Sequence, residues 1–215
     1  MTVQAQPMIS ENDQLRADIY QIIAALFRQH PSQELLNFLA EIEVEQDGTD
    51  IAESWNALKL AAQTAQTDTL EDEYFDLFIG VGRGELLPYG SYYITGSLMD
   101  KPLALLRQDL SQLGFERQEE VKEPEDHVAA LCEVMSALLL EAPKHQQLGF
   151  YQRHLSGWIA RFCQDVAKAK NASFYAIVGQ LADQFFAREA IIYEELSLAT
   201  PVTQNAGVAQ QPEAS

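Results

Sequence analysis

The chain is short of positive charge, of cysteine, of metal-type histidine spacings and of long apolar runs, and each shortage removes a class of function. Lys and Arg total 14 against 32 Asp and Glu, a formal net charge of −18 over 215 residues. A protein that grips duplex nucleic acid or an anionic membrane needs cations to meet phosphate, so neither partner is expected. If charge takes part in recognition, the partner is basic. Solubility is the plainer account, and charge alone favours it. The two cysteines, Cys132 and Cys163, each lie in an amphipathic stretch and form no CxxC pair. They read as small buried hydrophobes of a reducing compartment. No apolar run approaches the roughly 18 residues of a membrane span. The opening MTVQAQPMISENDQ has neither the basic nor the apolar region of a secretory signal. A cytoplasmic protein without stable membrane insertion is expected.

Catalytic signatures are missing too. His30, His127, His145 and His154 form no HExxH motif, no Cys/His zinc spacing and no pair of Glu-x-x-His motifs. Glu141 and His145 are four apart, but Pro143 between them spoils the helical alignment. No GxSxG elbow occurs. Gly80-Val-Gly-Arg-Gly84 invites a nucleotide reading, yet its spacing is GxGxG after a helical stretch, not GxGxxG between strand and helix. A turn joining two helices is the better reading, with a weak contact of Arg83 to an anion left open. No metal or cofactor is expected, and the chain is read as a non-enzyme. A small helical enzyme dependent on a nucleotide or a metal is the alternative.

What the sequence has in abundance is helical periodicity. Leu15, Ile19, Ile22, Ile23, Leu26 and Phe27 repeat at three and four, with Ser10 and Asp13 as capping residues. Ser32 opens a second helix, and others start near Thr49 and Asp68. Gly80, Gly82, Gly84, Pro88 and Gly90 then interrupt the pattern. It resumes at Asp100 and stops at Gly114. Pro124 is placed at the start of the next helix, which Pro143 ends. One long helix is expected from Leu148 through Val166, and a last one capped by Asn171 or Ser173. No stretch alternates with period two. The prediction is an all-α, compact multi-helix bundle with an irregular Gly/Pro-rich joint between two helical halves. Residues 10–199 form one domain between flexible tails at 1–9 and 200–215.

Two clusters bear on function. Glu119, Glu120, Glu123, Glu125 and Asp126 precede His127. Read on a helix opened by Pro124, they are a cap and a favourable charge at its positive end. Read as a site, Asp126 and His127 border an apolar stripe that suits a basic and apolar peptide. The segment Leu87-Pro-Tyr-Gly-Ser-Tyr-Tyr93 reads equally as core packing or as a recognition pocket.

Three segments taken in order, Tyr74-Phe-Asp-Leu-Phe-Ile-Gly80, Pro88-Tyr-Gly-Ser-Tyr-Tyr93 and Glu123-Pro-Glu-Asp-His127, resemble the TorD/DmsD-type maturation chaperones of bacterial molybdoenzymes. His154-Leu155 with Trp158 and Phe162, then Phe174-Tyr175, are also similar to that family. At Ala130 many members carry Glu. The resemblance implies a chaperone that binds the twin-arginine leader of a client and holds the client until its molybdenum cofactor is loaded, delaying export. It places the peptide site at Leu77, Phe78, Pro88, Tyr89, Ser91, Asp126 and His127, with Glu123 beside them. Formate dehydrogenase and the trimethylamine N-oxide and dimethyl sulfoxide reductases are all open as clients. A monomer or a homodimer fits, the latter by exchange of helices at the glycine-rich joint.

Overall fold

The computed structural model describes residues 9–45, 47–117 and 121–199. Among these residues it contains ten α-helices and no strand: α1 (Glu11–Arg28), α2 (Gln33–Glu41), α3 (Asp50–Thr64), α4 (Thr67–Tyr74), α5 (Gly90–Thr95), α6 (Lys101–Gln112), α7 (Val128–Glu141), α8 (Lys144–His154), α9 (Ile159–Lys168) and α10 (Phe174–Ala199). A π-helical turn, Phe75–Ile79, continues α4. The expected tails, Ile9 apart, lie outside the described residues.

Local signals set most helix starts. Ser10, Ser32 and Thr49 each accept a backbone N–H three residues on, which satisfies one of the free donors of a first turn. Asp100 accepts from Lys101 N–H, and Pro102 sits in the first turn of α6. Gly114, with φ of +83°, follows the end of α6. α10 is capped from a distance instead of by Asn171 or Ser173. The Glu73 carboxylate of α4 accepts from the N–H groups of Ser173, Phe174 and Tyr175, at 2.8, 3.2 and 2.8 Å. Glu85, in the glycine-rich joint, accepts from Lys170 and Asn171 N–H.

The core is built by α1 along α7, and by α10 against α9 and α3. Helix packing at the α9–α10 crossing needs Gly179: a Cβ there would stand 2.6 Å from Ala167 N and 2.9 Å from Cys163 O, backbone atoms that cannot swing away. Cys132 and Cys163 are fully buried free thiols. α1 turns Tyr20, Ile23, Ala24, Leu26 and Phe27 inward and leaves Leu15 exposed, so the buried stripe is rotated from the one expected. The rotation brings Arg16 inside, where it forms two bonds to Glu189 of α10, at 2.6 and 2.9 Å. Tyr20 donates to the same carboxylate at 2.9 Å, so each buried charge has partners.

Three further expectations are corrected. The stretch 148–166 is two helices, because the chain turns at Leu155–Trp158 and Trp158 Nε1–H donates back to His154 O at 2.7 Å. The segment from Gly90 is helical, not irregular. α7 begins at Val128 with His127 as its N-cap, and Pro124–Asp126 precede it as a turn. Asp126 is drawn out of the helix by bonds to residues 90 and 91.

Candidate functional site: the clasp between the joint and α7

The joint, residues 80–89, has no helix and returns from the π-helical turn to the start of α5. Gly80 at φ of +62° makes the reversal, and a Cβ at that position would collide with Arg83 O. The strand-like end of the joint lies against the start of α7. Val128 N–H donates to Pro88 O, and Gly90 N–H donates to Asp126 O, both at 2.9 Å. Tyr89 and His127 face each other across an isolated antiparallel bridge, their rings edge to face at 5.1 Å. The Asp126 carboxylate accepts from Ser91 N–H at 2.7 Å through Oδ2. Pro88, Tyr89 and Ser91 are thereby fastened to residues more than thirty positions downstream.

The side chains divide into a buried set and an exposed set. Leu77 and Phe78 lie in the core, Phe78 packing on Phe27, Tyr74 and Tyr175. Pro88, Ser91, Asp126 and His127 are also buried. Asp126 and His127 therefore do not border an exposed stripe, as the helix-based reading expected. The Nδ1 of His127 accepts from Ala129 N–H at 3.1 Å, which puts the ring proton on Nε2. Burial, helped by the charge of Arg28, lowers its pKa to about 3 and keeps the ring neutral. Tyr89 is half-buried and donates to the exposed Glu123; burial and then that bond raise its pKa. Arg83 donates to the Tyr92 hydroxyl at 2.6 Å and lies over its ring. Its guanidinium is engaged within the protein.

Beside the clasp is a cavity of about 310 Å³ between α5, α6, α7 and α8. Ile94, Leu105, Leu106 and Leu131 line it, together with Ser91 and Asp126. Asp126 Oδ1 and Ser91 Oγ, both buried, have no hydrogen-bond partner. On its other side Asp109 of α6 accepts from Arg153 Nε at 2.7 Å and is hydrogen-bonded to His154 Nε2 at 2.7 Å. Arg107 of α6 donates to Glu125 at 2.8 and 3.0 Å. α6 is thus tied across the cavity by side-chain pairs at both faces. Sequence periodicity marks Leu106 and Leu131 only as apolar-face residues, and nothing in the sequence points to Asp109 or Arg153. Asp109 and Arg153 stand 44 residues apart on separate helices, and no local pattern joins them.

Among the described residues the clasp and its pocket belong to an all-helical fold. A family model described as nitrate reductase delta subunit matches residues 44–164, and the chain belongs to that family. The chain is 28% identical over 188 residues to the chaperone protein TorD of Shewanella piezotolerans (strain WP3 / JCM 13877), covering 79% of this chain and 87% of that one. It is 27% identical over 206 residues to the chaperone protein TorD of Vibrio cholerae serotype O1 (strain ATCC 39541 / Classical Ogawa 395 / O395), covering 84% and 93%. Its fold is similar to that of a crystal structure described as a redox enzyme maturation protein from Archaeoglobus fulgidus, with a TM-score of 0.58 and 18% identity over 87% of this chain and 98% of that one. The protein is a TorD-type chaperone with a role in molybdoenzyme maturation, and not an enzyme. Among the described residues no helix is long and apolar enough to cross a membrane.

Proposed function

We propose that this chaperone works in the cytoplasm, binds the twin-arginine leader of a molybdoenzyme client, and holds the client during cofactor loading so that export is delayed. One observation carries the reading: a carboxylate oxygen without a partner, Asp126 Oδ1, in an apolar-walled cavity beside the clasp. A twin-arginine leader joins a basic stretch to an apolar one, as export signals do. The cavity offers both complements, on a chain of net charge −18. Tyr89 and Glu123 form the contact face outside, and Ser91 and Asp126 the polar end of the cavity. Leu77, Phe78, Pro88 and His127 hold that face from beneath.

Ordering a leader on binding costs about 2–5 kcal/mol, which suits reversible capture in the micromolar range. The test is a fluorescence-anisotropy titration of labelled twin-arginine leaders, with scrambled peptides of the same composition as controls. Saturable binding of a leader, at least about tenfold tighter than its scrambled form, is expected. Equal affinity for leader and scrambled peptide would refute the reading.

A further inference from the structure

The volume beneath α6 is too small for a peptide and large enough for one side chain. Ligand pockets for whole small molecules begin at about 300 Å³, and this cavity, at about 310 Å³, sits at that lower end. Its lining is apolar along Ile94, Leu106 and Leu131 and polar where Ser91 and Asp126 stand. Asp126 Oδ2 is already engaged by Ser91 N–H, while Oδ1 and Ser91 Oγ have no partner although Asp126 is 3% exposed and Ser91 0%. Buried polar atoms are nearly always paired, so two together are a site awaiting donors.

The charge balance specifies the donor further. The lining contains two carboxylates, Asp109 and Asp126, one guanidinium, Arg153, and one imidazole, His154. Burial lowers the His154 pKa against the opposing bond to Asp109, so the ring is neutral near pH 7. Arg153 is paired with Asp109. Of the two carboxylates, Asp126 has no ion pair among the described residues; Arg107, which feels its field, is bonded to Glu125 instead. A buried carboxylate in that position calls for a monovalent cation with several N–H donors.

We infer that this cavity is the binding pocket for a single arginine side chain of the client leader, its guanidinium bonded to Asp126 Oδ1 and Ser91 Oγ and its methylene stem lying along Leu106, Leu131 and Ile94. The inference rests on the proposed leader binding. Arginine fits where lysine does not, because a planar fork of donors spans two acceptors while an ammonium is a point charge on a flexible stem. Leu105 of α6 lies on the cavity's lining and is 60% exposed, so α6 forms the outer wall past which the side chain passes.

The test measures the affinity of synthetic leaders carrying Arg-Arg, Lys-Arg, Arg-Lys and Lys-Lys for the wild-type chain, for Asp126→Asn and for Leu105→Trp. Asp126→Asn keeps an acceptor for Ser91 N–H. Leu105→Trp crowds the cavity and leaves every hydrogen bond of the clasp in place. Circular dichroism checks that both variants fold. Expected is a loss of about tenfold or more on replacing one of the two arginines, with the other replacement near neutral, and abolition of that preference in both variants. Equal affinity of the wild type for all four leaders, or a preference that survives in both variants, overturns the pocket and leaves leader binding standing. If no leader binds, N-acetylarginine amide is titrated against N-acetyllysine amide by NMR. Saturable shifts at Ser91 and Leu131 for arginine alone would then sustain an arginine pocket and refute the leader, and no shifts would overturn both.

Discussion

His127 shows how one residue serves two purposes in this fold. Its ring caps α7 through Nδ1 and packs against Tyr89, and the capping bond needs the neutral form. The folded pKa of about 3 lies below the unfolded value near 6.5, so the unfolded chain takes up the proton first as pH falls. Stability is therefore full above pH 6.5 and declines below it, by up to about 1.4 kcal/mol per pH unit for this group. His127→Asn keeps a good N-cap acceptor without the titration. Urea unfolding of the variant between pH 7 and 5 is expected to show a shallower pH slope than the wild type, with His154 supplying part of what remains. An unchanged slope would mean that His127 takes up its proton as readily in the folded chain as in the unfolded one. The same residue marks the limit of legibility. Caps at Ser10, Ser32 and Thr49 can be read because cap and first turn are neighbours in sequence. The sequence places the start of this helix at Pro124 and the structure at Val128, because Asp126 is held by Ser91, a partner 35 residues away that no local rule supplies.

Among elements, α10 illustrates the same point on a larger scale. Its periodic apolar residues announce a helix, yet its first turn is satisfied by Glu73, about one hundred residues upstream. Glu73→Ala leaves those three N–H groups without their acceptor at the positive end of a 26-residue helix. It is expected to cost about 1–2 kcal/mol, read as a lower denaturation midpoint, with Glu73→Gln recovering part of the loss. No change in midpoint would show that solvent replaces the cap at no cost. The break between α8 and α9 was hidden for a related reason. Leu148, Tyr151, Leu155, Trp158 and Phe162 keep helical spacing, but the chain turns over Trp158, whose indole bonds to His154 O. Apolar spacing records which residues go inside; it does not record where the axis bends.

For the whole molecule, a net charge of −18 sets how a basic partner approaches. The summed field speeds and strengthens association at low ionic strength, and salt screens it over about 10 Å at 0.1 M. Leader affinity is expected to fall steadily as salt rises from about 0.05 to 0.5 M, mainly through slower association. An affinity indifferent to salt would assign recognition to apolar contacts alone. All-helical architecture was legible from periodicity, and the chaperone class from three short motifs. The cavity beneath α6 was not, since its walls come from four helices. The long-range partners of α10 also govern the order in which the protein matures on the ribosome. Arg16 waits for Glu189 and Glu73 for Ser173, so neither α1 nor α4 completes its contacts until α10 has emerged. Nascent chains halted before that helix would present Arg16 with Asp13 but without Glu189, and bare aromatic surface, making synthesis itself the interval in which this chaperone needs protection.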